Sequence, residues 1–291
     1  MSKKILITGA SGAFGSLTCK SLQSKGYQLV GTMRSTSGKN ADISAELRAA
    51  GIQLVEMDVT DDASVNAGIA KALELLGGLD IVFNNAGIGS NGIQELFSVE
   101  DMKRVYEVNV FGVQRLMRAV LPHFRKQGKG TILHTSSCIG RVTVPFLAMY
   151  SSSKYALESM VEGYRAELSP FGIENCIIEP GGFPTTFMGA MIEPSDPERA
   201  KGYGEMVHAP TASIKAFHQY MESSPMQRPQ RVADAVVDLL ELPFGKKPFR
   251  TVVDFMALRE PIEAYNESLD KTTRAIYQGN GIENMLSLNK A

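Results

Sequence analysis

Short apolar runs alternate with longer amphipathic stretches from Lys3 to about residue 255. Lys3 to Thr8, centred on Ile5-Leu6-Ile7, has the continuous apolar character of a strand covered on both faces, as in a parallel sheet. It runs into the glycine-rich segment Thr8-Gly9-Ala10-Ser11-Gly12-Ala13-Phe14-Gly15, after which Phe14, Leu17, Leu22 and later Tyr27 follow a helical pattern. Gln28 to Met33 and Ile52 to Met57 read as the second and third strands. Strands alternating with helical stretches predict an α/β domain.

The alternation stops between Gly181 and about Pro225, where Phe183, Phe187, Met188, Met191, Tyr203, Met206, Phe217, Tyr220 and Met221 lie among prolines and polar residues. From about Ala257 to Ala291 the pattern reads as a helical appendix, with Leu258, Ile262 and Tyr265 placed to pack on the core. The 291 residues are 44% hydrophobic, enough for one large core, and no linker, charge block or repeat divides them. The expectation is one domain over residues 1–255, with a lid at about 183–225 and an appendix over 256–291.

A net charge of −1 gives no basic footprint for nucleic acid or an anionic membrane, so neither is expected as a partner. Residues 1–41 nevertheless hold six basic side chains (Lys3, Lys4, Lys20, Lys25, Arg34 and Lys39) and no acid. Cys19, Cys138 and Cys176 are odd in number and far apart, which fits reduced thiols. Only three apolar residues separate Lys3-Lys4 from Thr8-Gly9, too few for an export signal, and no apolar run reaches membrane-spanning length; a cytoplasmic location is expected. His123, His134, His208 and His218 show no metal-ligand spacing, so no metal is expected.

The glycines at 9, 12 and 15 stand between a strand and a helix. There they permit a tight turn, close backbone approach to a pyrophosphate and an open helix N-terminus for the anion. The second strand ends in Met33-Arg34-Ser35-Thr36, with no acid before Asp42. A carboxylate there would mark NAD, whereas the Arg34 fork suits a 2′-phosphate, with Ser35, Thr36 or Lys39 as further donors. NADP(H) is therefore favoured; with Arg34 as an ordinary loop residue, NAD(H) is possible as well. Asp58, followed by Val59, is placed to accept from an adenine amino group or to cap a loop.

Tyr150 and Lys154 share one helical face a turn apart, with Ser137 thirteen residues upstream. At about 4 Å and an effective dielectric near 20, one unit charge is worth roughly 4 kcal/mol, or about 3 pKa units, enough to bring a phenol toward neutrality as a general acid or base. The pair alone also fits a solvated helix face.

These motifs, together with Asn84-Asn85-Ala86-Gly87, Asn109 in Asn-Val-Phe-Gly, Ser136-Ser137, and Pro180-Gly181 followed by Thr185, resemble the short-chain dehydrogenase/reductase family over roughly residues 3–255. The resemblance implies a doubly wound parallel sheet of Rossmann type, with the site at the carboxyl ends of the strands. It implies Tyr150 as proton donor and acceptor, and Ser137 as the group polarising the carbonyl oxygen. Lys154 would depress the tyrosine pKa and hold the nicotinamide ribose, and Asn109 would keep a relay water. It places the cofactor against Gly9, Ser11, Gly12, Ala13, Phe14, Gly15, Arg34, Ser35, Asp58, Val59, Asn85, Ala86, Gly87, Tyr150, Lys154, Pro180, Gly181, Phe183 and Thr185. Copies would pair into a homodimer or homotetramer through helices near Val105–Leu121 and Tyr150–Leu168.

The segment 183–225 then resembles the family's substrate lid. With Cys138, Ile139, Phe146 and Phe187 it outlines an apolar pocket for a ketone, aldehyde or secondary alcohol. The expected activity is NADP(H)-dependent interconversion of such a carbonyl and its alcohol. Gly9-x-x-Gly12-x-x-Gly15 also fits sugar-nucleotide epimerases using NAD, and the fold alone admits a non-enzymatic cofactor-binding regulator. The complete Asn109-Ser137-Tyr150-Lys154 set argues for redox chemistry.

Overall fold

A computed structural model describes residues 2–288. Its strands are β1 (Lys4–Thr8), β2 (Gln28–Met33), β3 (Gln53–Glu56), β4 (Ile81–Asn84), β5 (Gly130–Thr135), β6 (Ile173–Pro180) and β7 (Arg250–Val253). They form a single sheet in the order β3-β2-β1-β4-β5-β6-β7, parallel throughout. The helices are α1 (Ala13–Ser24), α2 (Ala41–Ala49), α3 (Asp62–Leu76), α4 (Val99–Tyr106), α5 (Gly112–Gln127), α6 (Ala148–Leu168), α7 (Pro197–Ala200), α8 (Ala209–Ser223), α9 (Gln230–Glu241) and α10 (Arg259–Gly279).

Two-residue strand periodicity divides the core between the faces of the sheet. Ile5, Ile7, Ile81, Phe83 and Leu133 meet α1, α2 and α9 through Cys19, Leu22, Leu47, Val232 and Val236. Leu6, Val82 and Ile132 meet α3, α5 and α6 through Ile69, Leu116, Phe124, Leu157 and Val161. The parallel crossovers bury both faces, which explains the unbroken apolar strand runs. Chain order reverses between β1 and β4, and in such sheets the crevice beyond the strand ends at this point receives the ligand.

Local signals set the helix ends. Asp61 accepts the Ser64 amide at 2.6 Å to begin α3, and Gly77, at φ 63°, ends it in the left-handed region. Ser98 and Asp101 form a reciprocal capping box at α4. Between α4 and α5 the turn Glu107–Phe111 widens to π geometry and carries Asn109 inward.

Residues 183–225, where a lid is expected, are largely helical. They contain short turns at Met188–Ala190 and Lys201–His208, with α7 and α8. A parallel bridge between Ser90 and Ile192 straps them to the loop after β4, and Ser195 Oγ donates to Asp101 Oδ2 at 2.6 Å. At the C-terminal side, Ile262 of α10 is buried with Cys138 and Val252, and Leu258 packs beside them. Tyr265 stays half exposed and lies over the Arg141 guanidinium at 5.5 Å. Among the described residues no helix is long and apolar enough to cross a membrane.

Phe124 is fully buried, and a Cβ on Gly130 would come within 2.6 Å of its ring, so strand and ring are in close contact. Phe124→Ala is expected to cost about 3–5 kcal/mol. Urea unfolding would read this as a lower midpoint at unchanged slope, and a loss below about 1 kcal/mol would contradict the packing.

Candidate active site

The carboxyl ends of β1, β4 and β5 are joined by a web of short hydrogen bonds. Thr8 Oγ1 accepts from the Asn85 and Ala86 amides at 2.9 and 3.0 Å. Asn85 Nδ2 donates to the Thr8 carbonyl at 3.0 Å, and Thr135 Oγ1 donates to Asn85 Oδ1 at 3.2 Å. Asn85 is thus a brace between strands. Gly9 sits at φ 66°, where a Cβ would crowd the Ala86 backbone at 2.9 Å, and a Cβ on Gly15 would overlap the Gly9 carbonyl oxygen. The turn requires glycine at both positions. Gly12 begins α1 with no side-chain cap and no acid in the first turn, leaving the amides of Ala13, Phe14 and Gly15 for an anion.

Lys154 is buried, and its Nζ donates to the Thr135 carbonyl at 2.8 Å. Desolvation lowers it to about 8, with the Glu158 carboxylate opposing that fall. Its Nζ lies 5.7 Å from the Tyr150 ring centroid. Burial pushes the Tyr150 phenol up, against the pull of the Ser137 hydroxyl beside it. This corrects the expectation of a phenol lowered toward neutrality. The cost of burying a phenolate outweighs the Ser137 hydrogen bond that favours it. Tyr150 is held protonated.

Ser137 Oγ donates to the Pro180 carbonyl and accepts from the Ile139 amide, each at 3.3 Å, bonds long enough to yield to a better partner. Asn109 is clamped on Ile88: Oδ1 accepts the Ile88 amide at 2.9 Å and Nδ2 donates to its carbonyl at 2.9 Å. The second Nδ2 proton goes to Ser153 Oγ at 3.0 Å, leaving one Oδ1 lone pair open. A Cβ on Gly87 would stand 3.3 Å from Asn109 Oδ1 and 3.6 Å from Lys154 Nζ, so Gly87 keeps the space between them clear.

The sequence profile of the family described as short chain dehydrogenase matches residues 3–196. The chain belongs to that family. A 3-ketodihydrosphingosine reductase of Bacteroides thetaiotaomicron is 36% identical over 183 residues, which cover 63% of this chain and 65% of that protein. Retinol dehydrogenase 8 of Homo sapiens is 33% identical over 252 residues, 82% of this chain and 78% of its own. The structure of a short chain dehydrogenase/reductase from Burkholderia phymatum in complex with NAD superposes with a TM-score of 0.76 at 25% identity, covering 93% of this chain and 95% of the other. This short-chain dehydrogenase is accordingly an NAD(P)-dependent oxidoreductase acting on CH–OH groups. The open α1 terminus and the glycine cradle fit such a nucleotide.

Other residues singled out in the sequence divide by position. Phe187 meets the Tyr150 ring edge at a centroid distance of 5.7 Å, and Phe187 and Met191 pack so closely on Gly89 that a Cβ there would be 2.8 Å from the ring. Phe146 adopts φ 69°, rare for a non-glycine residue, and its carbonyl accepts the Gly92 amide at 2.9 Å. Ile139 is half-buried next to Ser137. Phe183 is buried and meets Phe14 edge to face at 5.7 Å, and Thr185 Oγ1 accepts the Phe187 amide at 3.3 Å. The Gly181 amide donates to the Val253 carbonyl at 2.9 Å, tying the Pro180-Gly181 step to β7.

Cys138 is a correction to the substrate set. Its thiol donates to the Glu179 carbonyl at 3.4 Å, packs on Val252 and Ile262, and is raised in pKa by burial. It faces the C-terminal helix, because the chain turns after Ser137 and sends alternate side chains apart. Asp58 Oδ1 accepts from the Thr60 amide at 2.9 Å and hydroxyl at 2.8 Å, the loop-capping alternative, and the Val59 carbonyl accepts from Arg115 at 3.4 Å.

At the end of β2, Arg34 is exposed and Ser35 Oγ pairs with Ser37 Oγ at 3.0 Å. Sequence reasoning found no acid here, yet parallel pairing of β3 sets Glu56 opposite Met33. Its carboxylate accepts from the Thr36 amide at 2.7 Å and hydroxyl at 2.9 Å. Strand pairing, invisible to local spacing, brought it in.

Gly15→Ala should weaken nucleotide binding at least tenfold while the fold persists, because the added methyl displaces the turn from the α1 terminus. Isothermal titration with NADH and NADPH checks this; unchanged affinity for both would place the nucleotide elsewhere.

Proposed function

We propose that this dehydrogenase is an NADP(H)-dependent reductase of an apolar ketone or aldehyde, acting reversibly on the corresponding alcohol. The observation that carries the proposal is the Tyr150 phenol, kept protonated by burial, beside the Ser137 hydroxyl and beneath the Phe187 ring. A general acid must hold its proton until a base forms next to it, and a developing alkoxide is such a base. The nicotinamide nucleotide, when bound, supplies or accepts the hydride.

The residues of the chain handle the oxygen and its proton. Ser137 exchanges its 3.3 Å bond to Pro180 for the substrate oxygen and polarises the carbonyl. Tyr150 donates its proton to that oxygen, and the Lys154 ammonium stabilises the phenolate left behind. Lys154 keeps its position because the Thr135 carbonyl anchors it throughout. The proton returns through Lys154 and a water held by the open lone pair of Asn109 Oδ1, with both Asn109 donors already committed to Ile88 and Ser153.

The pocket wall is apolar: Phe187 and Met191 press on Gly89, and Phe217 and Met221 press on Gly182. This supports a hydrophobic substrate, as do relatives named for 3-ketodihydrosphingosine and retinol. Arg34 supports NADPH; among the described residues it has no carboxylate within salt-bridge distance, which leaves its fork free for a phosphate. Glu56 adds a negative charge nearby and narrows that preference.

A panel of long-chain ketones, aldehydes and alcohols assayed with NADPH and NADH tests the reading. Tyr150→Phe should lower turnover by at least 1,000-fold with NADPH affinity unchanged, and full activity in that variant would refute the mechanism. Reduction should fall as pH rises through about 8, since Lys154 is a cation below that value and neutral above it. A pH–rate profile flat from 7 to 10 would remove Lys154 from the relay.

A further inference from the structure

Behind Lys154 lies a cluster of buried charges that the proton chemistry does not itself use. Glu158, one turn along α6, is fully buried; its Oε2 accepts from Arg250 Nε at 2.9 Å and lies 3.7 Å from Arg141 Nη1. Glu162, a further turn along and one third exposed, meets the same two guanidiniums. Glu179 of β6 is fully buried, 3.5 Å from Arg141 Nε and 3.6 Å from Arg250 Nε. Asn266 of α10 closes the group, donating to Glu179 Oε2 at 2.5 Å and accepting from Arg141 Nε at 3.0 Å.

Three carboxylates thus face two guanidiniums, and Glu158 Oε1 and Glu179 Oε1 are buried without a hydrogen-bond partner. Buried ion clusters seldom raise stability over an apolar core of the same volume, so this one asks for another explanation. Its members touch the site from three sides. Glu158 follows Lys154 by one turn, Arg141 follows Ser137 by four residues, and Glu179 precedes the Pro180 whose carbonyl holds the Ser137 hydroxyl.

We propose that Glu158 is a positioning residue for Lys154: held by Arg250 and by Arg141, whose Nε donates to Asn266 of α10, it fixes a negative charge one turn from the Lys154 ammonium. The C-terminal helix thereby acts on the proton chemistry without touching substrate. This rests on the reading of Lys154 as the cationic partner of Tyr150.

The charged and titratable groups around the pair are Tyr150 and Glu162 on α6, His134 on β5, and Cys138 and Arg141 beyond it. Glu179 on β6, Arg250 on β7, Asp254 just after it, and Tyr265 on α10 complete the set. Against desolvation of Lys154, the Glu158 charge is the one that pulls upward. Burial and the Glu158 charge push the Glu179 carboxyl up from its ordinary value, against the two guanidiniums and Asn266.

The test is a titration of Lys154 in the full chain, by NMR of 13C-labelled lysine side chains with Lys154→Met for assignment, alongside pH–rate profiles. Glu158→Gln should lower the Lys154 midpoint by about one pH unit and move the fall in reductase activity down with it. Glu162→Gln, which pairs with the same arginines farther from Lys154, should leave both in place. Arg141→Met removes an opposing cation and should move the midpoint up. A folded Glu158→Gln protein with an unmoved midpoint overturns the proposal. Where Glu158→Gln does not fold, an unmoved or lowered midpoint in Arg141→Met does so instead. Full reductase activity in Lys154→Met, with the Glu158→Gln shift intact, would sink the proposed relay and leave the electrostatic coupling standing.

Discussion

One buried cation organises this molecule. An ammonium taken out of water is expensive unless it finds acceptors, and one of the three Lys154 donors finds the Thr135 carbonyl at the last residue of β5. The bond fixes where α6 sits along the sheet, and with α6 come Tyr150 and Ser153. Ser153 holds one proton of the Asn109 amide, which the π turn before α5 delivers from the other side. Ser137 arrives from the loop directly after β5. Four site residues from three parts of the chain, α6, the π turn and the loop after β5, therefore meet at the end of one strand.

The parts of this arrangement legible in the sequence were those with a local signature. Strand-to-helix alternation, the glycine turn and the spacing of Ser137, Tyr150 and Lys154 all depend on neighbours within about fifteen residues, and the family follows from their order. What escaped depends on pairing across the sheet. Glu56 reaches Thr36 because β3 lies beside β2, and Glu179 meets Glu158 because β6 runs beneath α6. Cys138 follows Ser137 directly, yet the chain reverses there and points its thiol at α10. Adjacency in sequence suggested the substrate pocket, and the turn decided otherwise.

The direction of the tyrosine shift carries a more general lesson. A Coulomb argument at contact distance makes Lys154 strong enough to ionise a phenol, but that argument assumes its charge is free to act on the phenol. Here burial lowers the Lys154 pKa, and the phenol lies in the same low-dielectric region. Desolvation penalises both ions at once. On the proposed reading, the outcome is an acid that releases its proton only when a substrate oxygen becomes basic, and a cation supported at neutral pH by a carboxylate behind it.

Catalytic and selective parts are consequently held by different kinds of contact. Lys154 and Asn109 are fixed by bonds to the backbone at Thr135 and Ile88, and Tyr150 by its place on α6, which packs on the sheet through Leu157 and Val161. The lid is attached by the bridge at Ser90–Ile192, by Ser195 to Asp101, by Arg199 and Tyr203 to Glu95, by Asn91 to the Pro210 carbonyl, and by apolar contacts of Phe187 and Met191 on Gly89. Phe187 is the point where the two systems meet, since its ring covers Tyr150 while its backbone belongs to the lid. On the proposed reading, a change in the lid can therefore alter which carbonyl reaches Tyr150 while the bonds of Lys154 and Asn109 stay in place.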